Sequence, residues 1–349
     1  MTTSTTALIT GGAGFIGREL VRSWVERGGK AIVLDALTYA GCRENLADIQ
    51  GDVTLVEGDI RDSACIRALL AAHTPQVVFH LAAESHVDNS ILSSSGFIDT
   101  NILGSHTILE AIRGYLQQIT PEQREAFRYV HVSTDEVYGA LGEEGIFVPN
   151  APLAPNSPYS ASKAASDLLA RAWYKTYGLP VIITRTSNNY GPYQHPEKLI
   201  PHMITQALKH EKLPVYGSGQ QVRDWIHVSD HAAGIIAAYE RGTIGEVYLF
   251  GGHNEVRNID VVTRLCDILS RHRAGVNYHA LITHVNDRLG HDFRYAIDDS
   301  ASVAALGWQR RYTDFATGLE ETVLWYLSHP EWIQAVRTHT QTKRKEQRA

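Results

Sequence analysis

Short apolar runs alternate with amphipathic stretches through the first half of the chain, and no other feature constrains the fold as strongly. Ala7–Thr10, Ala31–Asp35, Val53–Glu57, Val77–His80, Tyr129–Ser133 and Val181–Arg185 read as strands. Ile16–Arg27, Ser63–Ala72, Ile98–Gln117 and Tyr159–Thr176 read as helices between them. This alternation implies parallel strands joined by right-handed crossovers. Runs that are apolar throughout, such as Val77-Val78-Phe79, suit a sheet covered on both faces. The expected class is therefore α/β, a doubly wound parallel (Rossmann) sheet with a smaller, less regular α/β substrate-binding domain. The first domain is expected over residues 1–186 with a returning segment at about 224–247. The second is expected over 187–223 and 248–335, and residues 336–349 read as a basic, solvated and disordered tail. Residues 117–125 read as a helix end and loop, and 140–156 as an irregular loop.

The first strand runs into Thr10-Gly11-Gly12-Ala13-Gly14-Phe15-Ile16-Gly17, and a helix follows. Missing side chains let the backbone turn tightly and approach a pyrophosphate on the helix N-terminus. A glycine pattern alone is weak, but here a strand precedes it, a helix follows, and a second strand ends in Asp35. A carboxylate there accepts from the adenosine ribose hydroxyls and repels a 2′-phosphate, which favours NAD over NADP. Gly11, Gly14, Phe15, Ile16, Gly17 and Asp35 are thus the expected cofactor contacts. Asp59 and Ile60 follow the third strand and suit an adenine pocket, although Asp59 would serve equally as a strand-end cap.

A second cluster carries chemistry. The strand Tyr129–Ser133 leads into Thr134-Asp135-Glu136, a hydroxyl beside two carboxyls. Tyr159 and Lys163 lie one helical turn apart in Ser157-Pro158-Tyr159-Ser160-Ala161-Ser162-Lys163. A phenol with a pKa of ~10 is a poor base at neutral pH, and a nearby ammonium is expected to lower that value. Ligands of such sheets bind outside the carboxyl ends of the strands, where Thr134, Asp135 and Glu136 fall. Two adjacent acids in a partly dry site have pKa values pushed apart, as an elimination needs. Which acid does which job stays open at this level.

The balance of the 349 residues is ordinary: 44% hydrophobic, 20% charged, net charge −6. Nothing in it suggests a nucleic-acid partner. No apolar run approaches the ~20 residues of a membrane helix, and the polar start leaves no room for a signal peptide. Cys42, Cys65 and Cys266 read as free thiols of a cytoplasmic protein. None of the seventeen histidines falls in a metal-binding spacing, so no metal is expected.

Further motifs carry a resemblance. They include Leu37-Thr38-Tyr39-Ala40-Gly41, Ala82-Ala83-Glu84-Ser85-His86-Val87-Asp88 and Ser133-Thr134-Asp135-Glu136-Val137-Tyr138-Gly139. Asn188-Asn189-Tyr190-Gly191-Pro192-Tyr193-Gln194, Pro196-Glu197-Lys198-Leu199-Ile200-Pro201, Arg223-Asp224-Trp225 and Asp287-Arg288-Leu289-Gly290-His291-Asp292 add to them. Over nearly its whole length the chain resembles the dTDP-glucose 4,6-dehydratase family of extended short-chain dehydrogenase/reductases. The resemblance implies NAD as a resident cofactor, further held by Leu37, Thr38, Leu81, Ala82, Ala83 and Thr100. It implies dTDP-glucose as substrate, with Tyr159 as the base for the 4-hydroxyl, supported by Lys163 and Thr134. Glu136 would then take the C5 proton and Asp135 protonate the departing 6-hydroxyl. Substrate contacts implied are Ser85, Thr134, Asn188, Glu197, Lys198, Leu199, Pro214, Tyr216, Arg223, Asn258, Arg288 and His291. A homodimer paired through the helices near 98–117 and 159–176 is also implied.

Four positions depart from the family pattern: Arg18, Asn89, Cys42 and Leu249. They leave room for a shifted nucleotide or sugar preference. Dehydration of UDP-glucose or another nucleotide hexose, 4-epimerisation, decarboxylation of a nucleotide hexuronate, and a non-catalytic NAD-binding role stay open. Asp135 beside Glu136 argues against an epimerase or a decarboxylase, which need no acid for a leaving hydroxyl.

Overall fold

A computed structural model describes residues 4–346 of the chain. Its strands, in order, are β1 (Thr6–Thr10), β2 (Lys30–Asp35), β3 (Val53–Glu57), β4 (Val77–His80), β5 (Arg128–Thr134) and β6 (Val181–Thr186). There follow β7 (Asn188–Tyr190), β8 (Leu213–Tyr216), β9 (Val222–His227), β10 (Val247–Phe250), β11 (Glu255–Arg257) and β12 (Ile282–Val285). Seven strands form one parallel sheet in the order β10-β6-β5-β4-β1-β2-β3. The direction of winding reverses between β1 and β4, which opens a crevice at their carboxyl ends.

Strand periodicity explains the two cores of this sheet. Leu8, Ile32, Val78 and Tyr129 pack on one face, and Ala7, Ile9, Val33, Phe79 and Val130 on the other. Alternate side chains point to opposite faces, so a sheet buried on both sides must be apolar at every position. The helix Phe15–Glu26 turns Leu20, Val21, Trp24 and Val25 inward. The helix Pro158–Tyr177 is fixed at both ends: Ser157 and Ser160 form a reciprocal cap, Pro158 opens the first turn, and Gly178 closes it at φ 70°.

The rest of the chain packs around a separate core of Tyr190, Met203, Ile204, Leu265, Leu269, Phe315, Leu319, Val323 and Tyr326. It carries a small sheet β11-β9-β7 and the pair β12-β8. No helix among the described residues is long and apolar enough to cross a membrane.

Several expectations need correction. Residues 121–126 form a helix with a Thr120–Gln123 capping box, where a loop was expected. The stretch 98–117 opens with a π-helical segment, Ile98–Gly104, before its α-helix, Ser105–Leu116. β10 joins the large sheet beside β6, so residues 248–250 lie with the first domain. β9 belongs to the small sheet, and the returning element is the helix Val228–Arg241, which packs on the first helix. The expected tail, 336–349, is helical as far as residue 346: the helix Pro330–Glu346 begins within the expected second domain and buries Val336, with Trp332 and Ile333 before it, in the second core. The apolar residues 332, 333 and 336 share one helical face, and the polar and basic residues that follow them, from Arg337 on, carry no such apolar period. Residues 347–349 lie outside the described residues.

The glycine-rich turn leaves no space for side chains where the chain folds on itself. A Cβ on Gly17 would stand 2.1 Å from the Gly11 carbonyl oxygen, and Gly11 itself has φ +71°. Gly17→Ala should lower stability by about 1–3 kcal/mol. Urea denaturation checks this, and an unchanged midpoint would show that the turn yields freely.

Candidate active site

The crevice between β1 and β4 continues into a cavity of about 530 Å³. Gly11, Gly14, Phe15, Ile16 and Gly17 line one wall, with Asp35, Thr38, Asp59, Ile60, Leu81, Ala82, Ala83 and Thr100 around it. Leu37 does not line it; held at φ 46° and buried, it gives its N–H to Asp35 Oδ1 at 2.9 Å. Asp35 Oδ2 accepts from Ala13 N at 2.9 Å. The carboxylate thus ties the glycine loop to the β2 turn as well as facing the cavity, and burial pushes its pKa up against those two bonds.

The fit to a dinucleotide rests on that geometry. Gly14 caps the first helix with no side-chain bond, and the first turn carries no acidic residue. Its N–H groups and the positive end of the helix dipole are left for an anion. A Cβ at Gly14 would meet only the Gly11 oxygen at 3.3 Å and would fill the space a pyrophosphate needs.

The far end of the cavity holds the reactive groups. Thr134, Glu136, Tyr159 and Lys163 line it. Thr134 ends β5 and donates from its hydroxyl to Asp135 Oδ1 at 3.3 Å. Asp135 is 1% exposed, lines neither cleft, and its Oδ2 has no hydrogen-bond partner among the described residues. Its pKa is driven well above the ordinary carboxyl value, by burial first and then by the charges of Glu136 and Asp224. Burial raises Glu136 too, but Arg223, Arg288 and Lys198 pull it back. Two neighbouring acids therefore stand in unequal fields: both are raised, but Asp135 is driven strongly towards the neutral acid, while the three cations restrain the rise at Glu136.

Tyr159 departs from expectation. Burial, then Glu136 and Asp135, push its pKa up, and the Thr134 hydroxyl is the influence that pulls it down. Lys163 donates to Val132 O at 2.8 Å. Burial lowers the Lys163 pKa to about 8, opposed by Asp167. Asp167 lies one turn further along the same helix and is bonded by Arg185 at 2.8 Å. In the chain alone, desolvation of the phenol is the largest influence on it, and its one lowering partner is the Thr134 hydroxyl.

A second cleft of about 810 Å³ opens from the first. Ser85, Asn188, Glu197, Lys198, Leu199, Pro214, Tyr216, Arg223, Asn258, Arg288 and His291 all line it. Ser85, Glu136, Asn188, Glu197 and Lys198 line both clefts, so the two meet at Glu136. Arg223 is clamped by the carbonyls of Val222 and Asp292, both at 2.8 Å, and lies over the Tyr295 ring. Arg288 pairs loosely with Asp88 at 3.7 Å. Asn188 Oδ1, Asn258 Oδ1 and Arg288 Nε are buried without hydrogen-bond partners among the described residues. Buried orphans of this kind are costly unless a ligand satisfies them.

Sequence reading missed Asp88, Asp292 and Tyr295, which surround the arginines, and the last helix, which adds Val336, Arg337, Thr340 and Arg344 to the second cleft. Asp88 and Asp292 lay within motifs already singled out, and Asp292 shares its motif with Arg288, which was a usable signal; Asp88 meets Arg288 only in the fold, and Tyr295 had no signal. The unusual Arg18 stays outside the site, pairing with Glu19 and Asp48 and lying over Tyr193. Among the described residues no cluster of three or more candidate ligands is arranged to hold a metal ion.

A dinucleotide crevice continuous with a cationic cleft, with Tyr159, Lys163 and a hydroxyl at the junction, defines an extended short-chain dehydrogenase/reductase. Comparison with known proteins narrows this. The model of the family described as GDP-mannose 4,6 dehydratase matches residues 8–322, and the chain belongs to that family. It is 52% identical over 336 residues to a dTDP-glucose 4,6-dehydratase of Xanthomonas campestris pv. campestris, covering 95% of each chain. It is 48% identical over 344 residues to dTDP-glucose 4,6-dehydratase 1 of Escherichia coli, again covering 95% of each. Among solved structures it resembles DesIV, a dTDP-glucose 4,6-dehydratase of Streptomyces venezuelae crystallised with NAD, at 43% identity and a TM-score of 0.87, covering 95% of this chain and 100% of that one.

The unequal fields at Asp135 and Glu136 can be read directly. Infrared difference spectra at pH 7 should show a protonated carboxyl band that disappears in Asp135→Asn. A band absent from the parent protein would mean that Asp135 is ionised.

Proposed function

We infer that this chain is a hydro-lyase acting on a nucleotide sugar, converting dTDP-D-glucose to dTDP-4-keto-6-deoxy-D-glucose and water with NAD as cofactor. The observation that carries the reading is the pair of unequally biased carboxyls where the cofactor crevice meets the cationic cleft. An epimerase needs no acid for a leaving hydroxyl, and Asp135 supplies one.

NAD, when bound, accepts a hydride from C4 of the sugar and returns it to C6, so it ends each cycle unchanged. The protein groups handle the protons. Tyr159, with the Thr134 hydroxyl beside it, takes the 4-hydroxyl proton. A neutral Asp135 removes one of the three negative charges, with Glu136 and Asp167, that oppose the phenolate. The ketone at C4 acidifies C5–H, and Glu136 takes that proton. Asp135 gives its proton to the 6-hydroxyl, which leaves as water. This requires its side chain to turn out from beneath Thr134, because it lies under the cleft wall. Glu136 then protonates C5, and a proton passed from Tyr159 to Asp135 resets the site. Arg223 and Arg288 hold the diphosphate with charge-assisted bonds, while Asn188, Asn258, Tyr216, His291 and Lys198 position the nucleotide.

The finer assignments follow the same reading. The crevice side, residues 1–186 with the returning helix and β10, holds the cofactor, and the second core holds the nucleotide sugar. Ile98, Leu103 and Leu168, 42%, 53% and 56% exposed on helices 98–116 and 158–177, support a homodimer through that face. The free thiols of Cys42, Cys65 and Cys266 suit the reducing cytoplasm.

Purified protein given dTDP-glucose without added NAD should release one water per sugar with no net NADH. Asp135→Asn should keep C4 oxidation but slow elimination by about 10²–10⁴-fold, so that bound NADH builds up. Turnover at the parent rate would remove Asp135 from the acid role. Light scattering at micromolar concentration should give the mass of two chains, and Leu103→Glu with Leu168→Glu the mass of one. A single-chain mass for the parent would overturn the dimer.

A further inference from the structure

The last helix, Pro330–Glu346, reaches the cofactor crevice through a relay of buried hydrogen bonds. Trp332 Nε1 donates to Asn45 Oδ1 at 2.9 Å. Asn45 Nδ2 in turn donates to Ala13 O at 2.8 Å, and Ala13 N donates to Asp35 at 2.9 Å. Both backbone groups of Ala13, in the centre of the glycine turn, are thus fixed, one of them from the far end of the chain. Asn45 is 2% exposed and Trp332 7%, so water does not replace either bond.

About two turns further on, the same helix grips the other side of the crevice. His339 Nε2 is 2.8 Å from Thr38 O, and the Thr340 hydroxyl donates to Tyr39 O at 3.1 Å. Thr38, Ala40 and Gly41 line the cavity. A loop carries unsatisfied backbone groups and moves unless something holds them. Asp35 and the glycine turn hold the two ends of this loop through Leu37, Cys42 and Asn45, and its middle carbonyls, of Thr38 and Tyr39, are held by an element some three hundred residues away in sequence. Opening of the loop, the step that would let a bound dinucleotide leave, therefore requires breaking contacts with the last helix.

We propose that the last helix is a clasp on the cofactor crevice, with Trp332 and His339 as positioning residues that slow NAD release. This rests on the NAD reading above. Retention matters to that chemistry, because a hydride taken from one carbon must be returned to another of the same sugar before the cofactor departs.

The test is exchange of bound NAD for labelled NAD in the full-length protein, with Trp332→Phe and His339→Ala. Trp332→Phe keeps an aromatic ring in the core and removes only the N–H donor. Each change should raise the NAD release rate by about three- to tenfold, the loss of one ordinary hydrogen bond. Turnover at saturating NAD should be unchanged. A merely structural role would lower the melting temperature without selectively speeding release. Release at the parent rate in both variants overturns the clasp while leaving the NAD reading intact. A parent protein that neither holds nor takes up NAD overturns both.

Discussion

Two carboxyl groups on adjacent residues at the buried end of one strand cannot both carry a full charge cheaply, and the site is organised around how that conflict is resolved. Desolvation raises both pKa values. Arg223, Arg288 and Lys198 then favour the charged form of Glu136, while Asp224 adds a further negative charge near Asp135. Neither bias is a property of the pair alone. The cations come from the β9 strand, the loop after β12 and the segment before the helix Leu199–Ala207, so the second core must be folded and docked before the acids differ. The phenol of Tyr159 stands in the same field and depends on Asp135 being neutral.

Much of the frame was legible in the sequence because it follows from local periodicity. Strands buried on both faces are apolar throughout, and the glycine turn, the Ser157–Ser160 cap and Gly178 announce helix ends wherever they occur. The cofactor wall was legible for the same reason: most residues expected there lie at the end of a parallel strand or in the first turn of the helix that follows β1, and topology places strand ends together. Leu37 failed because its backbone serves the Asp35 turn, a local demand that overrode its expected contact.

What was not legible depends on contacts between distant segments. From residue 336 on, the last helix is polar and basic apart from Val336, and by composition that part reads as a solvated end. Contacts from other segments order the helix: Tyr193, Trp325 and Tyr326 pack on Trp332, and Asn45, Thr38 and Tyr39 bond Trp332, His339 and Thr340. Likewise, the expected influence of Lys163 on Tyr159 follows from their spacing, but spacing does not report that the ammonium is committed to the Val132 carbonyl or how dry the phenol is. The burial of Asp135 beneath the cleft wall is hidden in the same way, since adjacency in sequence says nothing about depth.

The central claim is a closed hydride circuit on one sugar, run by a cofactor that stays in place while the two acids remove water. Its most direct measurement uses dTDP-glucose carrying deuterium at C4. The label should appear at C6 of the 4-keto-6-deoxy product made in ordinary water, with no deuterium released to solvent. Product without label at C6, or stoichiometric NADH in solution, would contradict the circuit.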